Sequence, residues 1–177
     1  ALSAIGIFNL TLFGFIAFYQ GNLLLGAVDS AAFAVLTLNL LDARRRKRTS
    51  VNILFGTAFA GVFFAFLFLW GGEKNTAFVW CYTYPLMACY LMGSRSGGIA
   101  SSLLLVPDLL HLVFDPAPPL AVYKMELKLR FLFSYIVVGW FSFLIEYTRE
   151  RNREELQRTQ SDLENNIREL NTAKEAL

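Results

Sequence analysis

The chain has 177 residues, 55% of them hydrophobic and 17% charged, with 17 phenylalanines, a formal net charge of +2 and a mean hydropathy of +0.46. Soluble domains are about 45–50% apolar and about 25% charged, so a protein wetted on every side is excluded and a lipid bilayer is the expected partner. The basic residues sit where membrane topology would put them, and no nucleic-acid partner is expected.

A helical span needs about 17–25 mostly apolar residues. Stretches of that kind run over 3–19, 23–41, 51–70, 76–92, 99–114 and about 127–147. The links are short and punctuated by Gly, Asn and Pro, with Pro116, Pro118 and Pro119 in the longest. The fold expected is therefore all-α, a six-transmembrane-helix bundle of antiparallel neighbours. No basic leader precedes the first stretch, which argues against a secretory signal. Basic residues at 44–48, at Arg95 and at Arg149, Arg151 and Arg153 all fall on one side of such a bundle. By the positive-inside rule that side is the cytoplasm, so both termini face inward. The links 20–22, 71–75 and 115–126 then face outward, and Trp70 and Trp80 flank one of them.

After Tyr147 the composition turns to Glu, Arg, Gln and Asn, while Leu156, Leu163, Leu170 and Leu177 recur every seven residues. Ile167 fills one intervening heptad position, and Gln160 and Lys174 spoil two others. No Pro or Gly separates Leu127 from Leu177 except Gly139 inside the span. The last helix is thus expected to leave the membrane unbroken and to pair as a weak parallel coiled coil. The domains are residues 1–147, the bundle, and 148–177, the cytoplasmic helix. Pairing through 148–177 and the sixth span makes the protein a homodimer.

Enzyme signatures are absent: there is no phosphate-binding glycine loop and no zinc or nucleophile motif, and one His with two Cys does not make a metal centre. No catalytic residue, metal or other cofactor is expected. Cys81 and Cys89 read as packing residues. The informative positions are polar groups inside apolar spans, which are costly unless paired or hydrated. Asp29, Asp108, His111 and Arg130 all fall in the outer half. Asp108 and His111, three apart, share a helix face, and Arg130 is suited to an anionic group. Trp80 and Tyr84, four apart, share another face, with Pro85 expected to kink the span. Tyr123 is a further candidate. The ligand-binding set is therefore Trp80, Tyr84, Asp108, His111, Tyr123 and Arg130, taking a small, amphiphilic molecule from the periplasmic side. An internal Asp108–Arg130 salt bridge and an aromatic belt are the alternative readings of these residues. Gly93 with Gly97, Gly56 with Ala60, and Gly139 suggest close helix approach, with Gly97-Gly98 a chain breaker before the fifth span. Asn9, Asn39 and Asn52 are candidates for bonds between helices.

The six short-linked spans, the turn from Trp70 to Thr76, the run from Trp80 to Pro85, the turn from Leu91 to Gly97, and Lys128-Leu129-Arg130-Phe131 leading to Glu146 and Arg149 resemble the MASE-type membrane sensor domains of bacterial diguanylate cyclases. They are also similar to six-span sensor histidine kinases. The resemblance implies a multi-pass receptor of the bacterial inner membrane whose last helix carries a signal to an output domain beyond Leu177, a cyclase that makes cyclic di-GMP or, alternatively, a histidine kinase. The chain itself would not be an enzyme. A transporter fragment is the rival reading, with Asp29, Asp108 and His111 relaying protons.

Overall fold

A computed structural model describes residues 2–46, 49–71, 75–114 and 122–175, although not the side chains of 2–10, 44, 46, 49, 108, 112, 173 and 175. Among the described residues every regular element is helical. They are α1 (Leu2–Tyr19), α2 (Leu23–Arg46), α3 (Thr49–Trp70), a 3-10 segment (Ala77–Tyr82) leading into α4 (Thr83–Met92), α5 (Ser94–Leu103), α6 (Leu105–Val113) and α7 (Met125–Glu175). Three of them, over Leu23–Ala43, Ser50–Trp70 and Met125–Thr172, are long and apolar enough to cross a membrane.

Two of the expected spans are composite, and proline is the reason for each. Pro85 and Pro107 occupy the third position of α4 and α6, in the first turn, where a missing N–H costs nothing. Neither can donate to the carbonyl four residues back, so a regular α-helix does not run through Cys81 or Leu103. The chain answers with the 3-10 segment before Thr83 and with a turn at Leu104, whose N–H donates to the Ser101 carbonyl at 3.2 Å. Ser101 and Ser102 add side-chain bonds to the carbonyls of Gly97 and Gly98, 2.7 and 2.9 Å, which relax the helix just ahead of the break.

The elements pack in a clear order. α1 rests chiefly on α2, α2 meets α3, and α4, α5 and α7 form the closest group. Gly97 makes that group possible: a Cβ there would stand 2.3 Å from the Cα of Cys89, so α4 and α5 touch backbone to backbone. Gly97 and Gly98 therefore lie within α5 and do not break the chain. The break is at Gly93, with φ +86°. Gly139 on α7 has open space around it and marks no close approach. Asn39 and Asn52 clasp α2 to α3: each amide nitrogen donates to the other residue's backbone carbonyl, at 2.9 and 3.1 Å, and Asn52 also reaches Asp42 at 3.2 Å. Asn9 lies among the side chains outside the description.

The core runs through Ala60, Phe68, Cys81, Tyr84, Ala88, Leu104, Tyr123, Phe131 and Tyr135. Cys81 is buried within it, its Sγ 3.5 Å from the Phe64 carbonyl, and Cys89 is buried as well. Bulky apolar residues on the far side of α7, such as Phe133, Trp140 and Phe141, are 60–65% exposed. That is the surface expected of a lipid-facing helix, since lipid tails leave it no reason to turn inward.

Candidate functional site

At the end of the bundle that carries Trp70, aromatic rings from four elements interlock. Phe68 of α3 lies 5.8 Å from the His111 ring of α6, 5.4 Å from Tyr123 in the link before α7, and 5.1 Å from Phe131 of α7. Phe78 of the 3-10 segment meets Tyr123 and Phe131 edge to face at 5.8 and 5.7 Å. His111 and Tyr123 are 5.4 Å apart. Each such pair contributes about 0.5–1.5 kcal/mol beyond area burial.

The tyrosines in this cluster spend their hydroxyls on the backbone. Tyr123 donates to the carbonyl of Phe68 at 2.7 Å, Tyr135 to that of Ser101 at 3.0 Å, and Tyr84 to that of Thr57 at 3.3 Å. Each tyrosine thus stitches two elements together and leaves no apolar ring with a stranded polar tip. Burial pushes the Tyr123 hydroxyl well up, so it remains a donor throughout the physiological range. Lys128, in the first turn of α7, is 3% exposed and donates from Nζ to the His111 carbonyl at 2.6 Å. That carbonyl lies in the last turn of α6, where the helix dipole favours a cation.

The candidates from sequence divide. His111 and Tyr123 come together, and Tyr84 joins the same core through Phe64 and Tyr135's neighbours. Trp80 does not share a face with Tyr84. The 3-10 segment winds with about three residues per turn, which voids the four-residue spacing. Trp80 is accordingly 38% exposed and packs edge-on against Phe13 of α1 at 4.7 Å. Arg130 is exposed rather than turned into the cluster. Asp29 is buried on the α1 side of α2, next to Gly14, and does not converge with His111. The Asp108 side chain, and with it the proposed pairing to His111 or Arg130, lies outside the described residues. Sequence reading missed Lys128, which looked like one more basic residue near a membrane surface. Its signal was the heptad spacing to Tyr135 and Ser142, which are buried with it.

The opposite end is polar. There Glu146 and Arg149 of α7 form an ion pair at 2.8 Å, and the Arg149 guanidinium lies 4.2 Å over the Tyr90 ring of α4. Glu150 takes the N-terminus of α5: its carboxylate accepts from the Ser94 N–H at 3.0 Å and from the Ser94 hydroxyl at 2.6 Å. Those two bonds, the hydroxyl's first, hold the Glu150 carboxyl below its ordinary value, helped by Arg149 and Arg95. A groove of about 710 Å³ lined by Ser94, Arg95, Arg151 and Glu154 separates this turn from the departing helix. From there to Thr172 every described side chain of α7 past Glu150 is exposed.

An aromatic helical bundle with apolar outer faces, carrying one helix far beyond itself, defines a membrane-associated helical protein. The chain belongs to the MASE6 family, whose model it matches over residues 1–156, a family of MASE-type membrane-associated sensor domains. No curated protein and no solved structure matches it.

Proposed function

We propose that the chain is the sensing and transmitting module of a receptor in the bacterial inner membrane. It crosses the bilayer six times with both termini in the cytoplasm and pairs through residues 148–177. It takes a small amphiphilic ligand at the outer end and passes the signal to a C-terminal output domain, a diguanylate cyclase. The observation that carries this reading is the unbroken course of α7, from Lys128 beneath His111 to Glu175. A helix that begins inside the aromatic cluster and ends well clear of the bundle transmits any rearrangement at one end to the other, because an α-helix has no soft joint along its length.

The candidate pocket is the cluster around His111 and Tyr123, with Tyr84, Trp80, Asp108 and Arg130 as further contributors. A cation, an imidazole and a phenol among apolar rings suit a molecule with an acyl or aromatic body and one polar head. The ligand needs only differential affinity. A tenfold change in output corresponds to about 1.4 kcal/mol between two packings of α7.

The test is made in the full-length receptor in membranes, with single cysteines along 156–170 reporting the pairing of stalks. Replacing Tyr123→Ala or His111→Ala is expected to change the crosslinking pattern at least threefold. It should also change cyclic di-GMP formation from GTP. A stalk pattern indifferent to both substitutions would sink the transmission reading, and a full-length protein with no GTP turnover would sink the cyclase assignment.

A further inference from the structure

The stalk ladder has a continuation inside the bundle. Counted upward by sevens from Leu170, Leu163 and Leu156, it passes through Arg149, Ser142, Tyr135 and Lys128. The last three are 2–3% exposed because they face α4, α5 and α6, while Leu156, Leu163 and Leu170 are 59–70% exposed. One side of α7 therefore serves two partners: its own bundle above and, on the proposed reading, a second stalk below. An α-helix turns about 100° per residue, so a straight rod drifts about 20° per heptad away from the seven-residue ladder. At Leu170 the seam has drifted about 80° from Ser142, clear of the bundle. At Arg149, Arg153 and Leu156 it has drifted by no more than about 40°, so it still points under the bundle.

This uppermost heptad is also where α7 is fastened. Arg149 lies over the Tyr90 ring of α4, and Glu150 closes both bonds on Ser94 of α5. Gly93 is shaped for that grip. At φ +86° it turns the chain into α5, and a Cβ on it would stand 2.6 Å from the Glu150 carboxylate. A partner stalk entering at Arg153 and Leu156 would need the space under α4 and α5 to which this clasp pulls α7.

Resting on the paired-stalk reading above, we infer that the Glu150–Ser94 clasp and pairing of the membrane-proximal heptad exclude each other, so that the clasp is an autoinhibitory contact. Closed, it lets a second copy pair only along the distal ladder, Leu163 to Leu170. Open, it frees α7 to turn its seam toward the partner and zip up to Arg149. The clasp is the part a signal must release.

The test uses the whole chain in native membranes, with one added cysteine per variant, Leu156→Cys or Leu170→Cys. The resident Cys81 and Cys89 are each 1% exposed and do not compete. The readout is the ratio of proximal to distal crosslinking between copies. Expected is a low ratio in the parent chain and a rise of threefold or more when Glu150→Ala or Ser94→Ala is added, with distal crosslinking retained. A thermal unfolding midpoint in detergent within a few degrees of the parent certifies that each variant is folded. Glu150→Gln, which keeps the shape and loses the charge, should raise the ratio by a smaller factor. A ratio unmoved by all three substitutions, with crosslinks still forming, overturns the clasp and leaves paired stalks standing. No crosslink at any position, together with a single-copy mass in detergent, overturns the paired stalk and the clasp with it.

Discussion

The two ends of the packed half of α7 are held by different physics. Around Lys128, Phe131 and Tyr135, which are 2–3% exposed, it is fixed by interlocked rings and by hydroxyls bonded to backbone in neighbouring elements. Around Arg149 and Glu150 it is fixed to its neighbours by one ring contact, Arg149 over Tyr90, and by one side-chain cap, Glu150 on Ser94. The first grip is lost only by unpacking the core. The second consists of a cation over a ring, worth about 0.5–1 kcal/mol, and two hydrogen bonds to one carboxylate, polar contacts that salt or a competing partner weakens. A rod with one firm and one releasable grip moves at the releasable end.

That contrast can be broken from either side. The largest effect is expected from Gly97→Leu, which forces α4 away from α5 and disturbs both grips at once, because the obstruction is the Cys89 backbone and not a flexible side chain. A loss of about 3 kcal/mol is expected from such overpacking, read as a lower thermal unfolding midpoint in detergent. A midpoint within a degree of the parent would mean that the two helices are not in backbone contact.

Next comes the firm end. Tyr135→Ala removes a ring that is 2% exposed and should cost about 3 kcal/mol. Tyr135→Phe keeps the ring and removes one of the two hydrogen bonds to the Ser101 carbonyl, which keeps the one from the Leu104 N–H, for about 1 kcal/mol. Equal losses for the two would show that the hydroxyl, and not the packing, anchors the helix.

The smallest effect concerns acid. Glu150 has a lowered carboxyl pKa, so the clasp's contribution is complete above the ordinary value of 4.5 and is lost as pH falls below it. Arg149, Arg95 and Arg151 face it, and Glu146 and Glu154 are the neighbouring carboxylates. Spin labels at position 156 are expected to show an unchanged stalk separation between pH 6 and 8 and a shift only in acid below the ordinary carboxyl value of 4.5. Glu150→Gln should abolish that shift. A shift retained in Glu150→Gln would assign the response to Glu146 or Glu154.

Much of the molecule was legible in the chain. Alternation of long apolar stretches with polar links located the helices. The absence of Pro between Leu127 and Leu177 foretold the length of α7, because nothing else interrupts a helix as reliably. That Asn39 and Asn52 bond between helices was legible too, since an amide inside an apolar helix must find a partner, whereas their pairing with each other came from the packing of α2 on α3. The site was less so. Four-residue spacing put Trp80 with Tyr84 by assuming an α-helix, whereas Pro85 had already forced a 3-10 lead-in. Arg130 looked like the cation of the cluster, yet Lys128, two residues away and so on a different face, is the one turned inward.

Composition and periodicity alone determined that this is an all-helical membrane protein with one helix reaching past the rest, because burial in lipid and helix continuity are local demands on each segment. Which side of that helix meets which neighbour was decided only by tertiary packing. Gly97 set the depth of α5 against α4, and that depth brought Ser94 within reach of Glu150, 56 positions along the chain. No local pattern records a contact made between two such distant residues by the close approach of a third pair.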